Sequence, residues 1–122
     1  MTEAEPTVFV VDDDPSVRRS TERLVRSMGF NVQTFATAKE FSERARIESP
    51  SCLVLDVHLP GMSGFELQRH LAGAGTALPV VFITARDQSS LRRQALARGC
   101  GYLIKPFPGS ALLEAVAEAV AK

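Results

Sequence analysis

The sequence predicts an α/β protein, a parallel sheet with helices packed on both of its faces. Three observations carry this. Residues 8–11, 53–55 and 80–83 are short apolar runs that do not alternate with polar residues, the pattern of central strands covered on both sides. Strand and helix patterns then alternate five times with short connections, which demands crossover helices and therefore parallel pairing. Finally, each apolar run ends in a polar residue: Asp12 and Asp13, Asp56, Thr84. In a parallel sheet these ends share one rim, the edge where ligands of open α/β sheets bind.

Each element has its own local signal. The first strand, residues 7–11, runs directly into Asp12-Asp13-Asp14-Pro15. Asp14 followed by Pro15 reads as a helix start, with Asp14 as N-cap and Pro15 pre-set for the first helical position. That helix places Val17, Leu24, Val25 and Met28 inward, and Gly29 closes it. The second strand, residues 31–35, has a weaker, partly alternating pattern suited to a sheet edge. Thr37-Ala38-Lys39-Glu40 is a capping box that opens a second helix with Phe41 and Ala45 inward.

The third strand opens at Ser51 as an apolar run and delivers Asp56 at its end, before Pro60 and Gly61 break the chain. Ser63-Gly64-Phe65-Glu66 reads as another capping box, and Leu67 and Leu71 give the third helix its buried stripe up to the glycines at 73–75. The fourth strand, residues 79–83, delivers Thr84. Asp87 is placed to cap a fourth helix containing Leu91, Ala95 and Leu96, which stops near Gly99. The fifth strand, residues 101–104, delivers Lys105-Pro106. A last helix over residues 108–121 turns Leu112, Leu113, Val116 and Val120 inward.

Length and composition narrow the function. A chain of 122 residues is expected to form one domain over 1–122. Its 14 Lys+Arg equal its 14 Asp+Glu, so these residues lack the cationic surplus that neutralising nucleic-acid phosphates requires, and no direct nucleic-acid binding is expected. No apolar run approaches the roughly 18–20 residues of a membrane span, and the acidic start Met1-Thr2-Glu3-Ala4-Glu5 is unlike a signal peptide. A cytoplasmic location is expected. Cys52 and Cys100 have no metal-ligand spacing and read as reduced packing residues.

If the strand order is 2-1-3-4-5, strands one, three, four and five place Asp12, Asp13, Asp56, Thr84 and Lys105 around a single crevice. Carboxylates gathered there repel, a pair about 4 Å apart by roughly 4 kcal/mol at an effective dielectric near 20. A hard divalent cation with oxygen ligands, Mg²⁺ or Mn²⁺, answers that charge, and Lys105 supplies a fixed ammonium. A carboxylate nucleophile, a divalent cation, an ammonium and a hydroxyl form the set that phosphoryl transfer needs. Each residue also has a plainer reading: the Asp12–Asp14 run as a solvated turn with an N-cap, Asp56 as a turn acid, Thr84 as a strand-end residue, Lys105 as a surface lysine and Tyr102 as core with a wet tip.

Over residues 8–120 the chain resembles the receiver domain of bacterial response regulators, CheY-like and nearest to the FixJ-type transcriptional regulators. The matching pieces are Val10-Val11-Asp12-Asp13, Leu55-Asp56 with Pro60 and Gly64 following, Ile83-Thr84-Ala85, and Tyr102-Leu103-Ile104-Lys105-Pro106-Phe107. The resemblance implies a flavodoxin-like, five-stranded parallel sheet of order 2-1-3-4-5 with five helices on both faces. It implies Asp56 as phosphoacceptor, Asp13 as a direct Mg²⁺ ligand with Asp12 assisting, and the backbone carbonyl of His58 as a further ligand. Thr84 and Lys105 would bind the phosphoryl oxygens, and Lys105-Pro106 would be cis.

The partner implied is a sensor histidine kinase. A phosphorylation-dependent homodimer and a DNA-binding effector domain beyond Lys122 are further expectations. In the expected switch, Thr84 moves toward the phosphoryl group and Tyr102 turns inward. That changes the surface of the fourth helix, fifth strand and fifth helix, where Arg92, Arg93 and the Tyr102 tip meet a partner. The turn Arg98-Gly99-Cys100-Gly101 departs from the usual glycine-alanine-x-acid. His58 and Arg86 stand two residues after Asp56 and Thr84, at positions that modulate dephosphorylation in the family.

Two rivals are weighed against this. In a Mg²⁺-dependent phosphatase of haloacid-dehalogenase type, Asp12 would be the nucleophile, but only Glu114 and Glu118 follow the lysine as further acids, both within a helix. A flavodoxin needs a hydroxyl- and glycine-rich phosphate loop after strand one, where this chain has three acids.

Overall fold

The computed structural model describes residues 6–47, 51–75, 78–97 and 101–121. Among these described residues ten elements alternate: β1 (Thr7–Val11), α1 (Pro15–Arg26), β2 (Asn31–Phe35), α2 (Ala38–Arg44), β3 (Ser51–Asp56), α3 (Gly64–Gly73), β4 (Val80–Thr84), α4 (Ser89–Ala97), β5 (Gly101–Ile104) and α5 (Gly109–Ala121). The strands form one sheet in the order β2-β1-β3-β4-β5, parallel throughout. This is the flavodoxin-like arrangement, and β2 lies at an edge as its weaker pattern requires.

The sheet divides the core in two because successive strand residues point to opposite faces. On one face Val8, Val10, Val54 and Ile83 pack with Val25 of α1 and Leu112 and Val116 of α5. On the other, Phe9, Val11, Leu55 and Phe82 pack with Phe41 of α2, Leu67 of α3 and Ala95 of α4. The second face is the more aromatic: Phe41 meets Phe9 and Phe35 edge-on at 5.6 and 5.5 Å, and Phe65 stacks on Phe82 at 4.3 Å. Each fully buried side chain of this kind stabilises the fold by roughly 1.5–3 kcal/mol relative to exposure.

The helix starts follow the capping chemistry of the sequence. The Asp14 carboxylate accepts from the amides of Ser16 and Val17, Thr37 Oγ1 from Glu40, and Ser63 Oγ from Glu66. The Thr37–Glu40 capping box is looser than its pattern, because the Glu40 carboxylate reaches the Ala36 amide at 3.4 Å and not that of Thr37. Gly29, at φ 91°, takes the left-handed conformation that ends α1.

Three expectations are corrected. Met28 is not core: α1 ends at Arg26, so Met28 falls off the helical face and is exposed. Asp87 does not cap α4, which begins at Ser89; its carboxylate instead pairs with Arg92 at 3.2 Å. Leu96 projects outward from α4 and is 61% exposed. The expected stop of α4 near Gly99, and Cys100, lie outside the described residues.

Candidate functional site

Parallel pairing brings the ends of β1, β3, β4 and β5 to one rim. Asp56 is the last residue of β3, and its backbone sits deep in the sheet, opposite Ile83. Its Oδ1 accepts from the His58 amide at 2.9 Å, and its Oδ2 lies 3.0 Å from Lys105 Nζ. Asp12, one residue past β1, is fully buried. Its amide donates to Phe35 O, its Oδ1 accepts from the Asp14 amide at 2.9 Å, and its carbonyl accepts from Arg18 at 2.8 Å. Asp13, the next residue, is exposed.

Lys105 joins these acids. Its amide donates to Thr84 O at 2.7 Å, which fixes the base of the side chain against β4, and the Lys105–Pro106 bond is cis. Its ammonium then bridges Asp56 Oδ2 at 3.0 Å and Asp12 Oδ2 at 2.9 Å. Burial alone would lower the Lys105 ammonium, but its hydrogen bonds and charge contacts with Asp12 and Asp56 outweigh that and hold it above its ordinary value. Asp12 is pushed up, chiefly by burial; the Asp14 amide and Lys105 oppose this without cancelling it.

The residues present fit a divalent cation. Ligand oxygens of Asp12, Asp13 and Asp56 can all lie within 4.8 Å of one another. Three carboxylates face one ammonium, so two negative charges are left over. Among the described residues Asp12 Oδ2 also receives no well-directed hydrogen bond, although it is buried and 2.9 Å from the ammonium. A buried oxygen of this kind, beside an all-oxygen donor set, matches a hard cation better than a further amine.

The rim opens into a cavity of about 470 Å³ lined by Asp13, Asp14, Asp56, His58, Ala85, Arg86 and Lys105. Asp56 therefore faces solvent-accessible space while Asp12 lies behind it. Thr84 ends β4 with its side chain buried, and its hydroxyl is bonded to the backbone of Arg86. His58 is exposed at the mouth, and His70 is exposed on α3.

Tyr102 pairs with Phe82, two residues before Thr84 on the same sheet face. Here the structure departs from expectation. The Tyr102 hydroxyl is not a wet tip: it is buried, without a hydrogen-bond partner among the described residues, and the Arg92 guanidinium lies 5.5 Å over the ring. The ring is thus already turned in, and in this conformation its tip is withheld from any partner. Cys52 is buried, which pushes its thiol up to about 12 and keeps it protonated and inert near neutral pH.

Sequence reasoning placed Asp12, Asp13, Asp56, Thr84 and Lys105 at one rim, and the structure brings them there. It missed the double role of Lys105, the depth of Asp12 and the contact from Arg18. Arg18 sits six residues after Asp12, a separation with no periodic signal, so only the turn of the chain into α1 reveals it.

Comparison with known proteins agrees with this geometry. Residues 8–117 match the sequence model of the response regulator receiver domain. The chain is 42% identical over 113 residues to nodulation protein W of Bradyrhizobium diazoefficiens, covering 92% of this chain and 50% of that protein. It is 40% identical over 116 residues to the transcriptional regulatory protein TdiR of Thauera aromatica, covering 94% and 51%. It spans about half the length of these curated relatives. Among solved structures, response regulator StyR superposes with a TM-score of 0.88 at 47% identity, covering 97% of this chain and 60% of that one. FixJ-N superposes with 0.82 at 29% identity, covering 98% and 96%.

Proposed function

The chain belongs to the response regulator receiver domain family, and on that footing we propose that it is a phosphorylatable switch whose acceptor is Asp56. The observation that carries this is the position of the two buried acids: Asp56 lines the cavity and Asp12 does not. Of these two buried acids, Asp56 is the one that presents its carboxylate to an incoming phosphorus. The haloacid-dehalogenase alternative needs Asp12 as nucleophile, and Asp12 is fully buried with Oδ1 tied to the Asp14 amide.

In the proposed reaction an Asp56 oxygen attacks the phosphorus of a phosphodonor. With a sensor histidine kinase as donor, the P–N bond breaks as the P–O bond forms, and the electron pair leaves on the imidazole nitrogen. The His58 amide holds Oδ1 and so orients the carboxylate. Lys105, now 3.0 Å from Oδ2, follows the charge onto a phosphoryl oxygen, and the Thr84 hydroxyl takes another. Asp12, Asp13, Asp56 and the His58 carbonyl would hold Mg²⁺ or Mn²⁺, which when bound supplies charge stabilisation to the transferring phosphoryl group.

These groups act on the protein's own phosphate, so the chain is a signalling module and not an enzyme with an external substrate. Residues 1–122 are proposed as one receiver unit, acting in the cytoplasm; among the described residues no helix is long and apolar enough to cross a membrane. An effector domain that binds DNA is the proposed output, supported by the relatives' greater length and by the name of TdiR. Phosphorylation is proposed to act through Thr84 and the loop carrying Ala85 and Arg86 on the surface of α4, β5 and α5, where Tyr102 is already turned in, driving homodimerisation. Acetyl phosphate with Mg²⁺ tests the acceptor: it should label the wild type and leave Asp56→Asn unlabelled, and equal labelling of the two would remove Asp56 from the role.

A further inference from the structure

The acidic loop between β1 and α1 is held at the backbone groups of Asp12 and Asp14. The Asp12 amide is fixed by Phe35 O at 3.1 Å, the Asp14 amide by Asp12 Oδ1 at 2.9 Å, and the Asp14 carbonyl by the Arg18 amide at 2.9 Å. The Asp12 carbonyl is held by a side chain from outside the loop: Arg18 donates to it at 2.8 Å, from the first turn and a half of α1. That carbonyl sets the plane of the peptide linking Asp12 to Asp13, and with it the direction of the Asp13 side chain. Asp13 is exposed, and no other group among the described residues hydrogen-bonds its carboxylate.

We propose that Arg18 is a positioning residue for the divalent-cation site, clamping the Asp12–Asp13 peptide so that the exposed Asp13 carboxylate is aimed at the oxygens of Asp12 and Asp56. The inference rests on the cation site proposed above. It predicts a sign that simple electrostatics does not. Deleting a guanidinium next to an acidic cluster should by charge alone tighten cation binding. Deleting a clamp should weaken it, because the loop must then be ordered when the metal binds.

The test is Mg²⁺ titration of the full chain, read as the metal-dependent rise in melting temperature, with wild type, Arg18→Ala, Arg18→Lys and Arg19→Ala compared. Arg19, exposed beside Arg18 and lining a different part of α1, controls for the loss of one positive charge. Arg18→Ala is expected to raise the Mg²⁺ concentration of half-saturation about 3–10-fold, while Arg18→Lys, which keeps a donor, recovers most of the loss and Arg19→Ala stays within about twofold. A lowered melting temperature with unchanged half-saturation, or tighter Mg²⁺ binding in Arg18→Ala, would overturn the clamp. Should Arg18→Ala not fold, Arg18→Lys decides by itself: a half-saturation more than tenfold above wild type would show that an ammonium cannot stand in for the clamp and would refute the rescue on which the proposal depends. Absence of any Mg²⁺ response in wild type would instead refute the cation site itself, and the role of Arg18 with it.

Discussion

The Thr84 hydroxyl is bonded twice to Arg86, donating to its carbonyl at 3.0 Å and accepting from its amide at 3.1 Å. A hydroxyl has one hydrogen, so Thr84 cannot donate to a phosphoryl oxygen until it releases the Arg86 carbonyl. Engagement of the phosphate and rearrangement of the loop carrying Ala85 and Arg86 are therefore one event. Thr84→Ala should leave Asp56 able to accept phosphate but uncouple the response. Sedimentation with Mg²⁺ and beryllofluoride should show wild type associating and Thr84→Ala remaining as in its untreated form. An identical response of the two would break the Thr84 route.

Asp12 is the acid whose burial is not balanced by its partners. Its folded carboxyl titrates above the ordinary 3.8, so the folded chain binds this proton more tightly than the unfolded chain does. The favourable contribution is complete below pH 3.8 and is withdrawn as pH rises through the raised folded value. At pH 7, in chelator, Asp12→Asn should melt higher than wild type, by about 4 °C for each kcal/mol of relieved repulsion and desolvation. The difference should shrink as pH falls toward 4. A variant that melts lower at pH 7 would mean that the Lys105 pair outweighs burial.

Gly64 begins α3 against the backbone of the acceptor residue. A Cβ there would lie 2.7 Å from the Asp56 carbonyl oxygen and 3.2 Å from Val57 Cα, and backbone in a central strand cannot withdraw. Gly64→Ala should therefore destabilise the fold by about 1–3 kcal/mol. Urea unfolding checks this, with a lower midpoint at an unchanged slope as the expected result.

The buried Tyr102 hydroxyl, with no partner among the described residues, makes the opposite prediction. Leaving a hydroxyl unsatisfied costs about 1–3 kcal/mol, so Tyr102→Phe should be neutral or stabilising by up to about 1 kcal/mol. The cation–π contact from Arg92 survives in phenylalanine. Destabilisation of more than about 1 kcal/mol in thermal unfolding would show that the hydroxyl has a partner in solution.

The sequence disclosed what depends on short range. β2, residues 31–35, and the caps at Asp14, Thr37 and Ser63 are local patterns, and the structure places them there. Asp56 was legible because an apolar run must end where its burial ends. The misreadings involve a choice among equivalent local options. Asp87 had two valid uses, a cap or an ion pair with Arg92, and only the start of α4 at Ser89 decides between them. Met28 continued a helical spacing past the point where α1 stops. The inward ring of Tyr102 depends on its packing beside Phe82 and Arg92, which are distant in sequence. The contact of Arg18 with Asp12 and the sharing of Lys105 between two acids are tertiary, and no spacing in the chain announces them.

The proposed function stands on Asp56, and not the more deeply buried Asp12, accepting the phosphoryl group. Its most direct test is to treat the protein with acetyl phosphate in Mg²⁺ or in chelator, trap the acyl phosphate by borohydride reduction, and locate the reduced residue by peptide mass spectrometry. The structure predicts modification at Asp56 alone, and only with Mg²⁺ present. Modification at Asp12, or at Asp56 to the same extent in chelator, would contradict it.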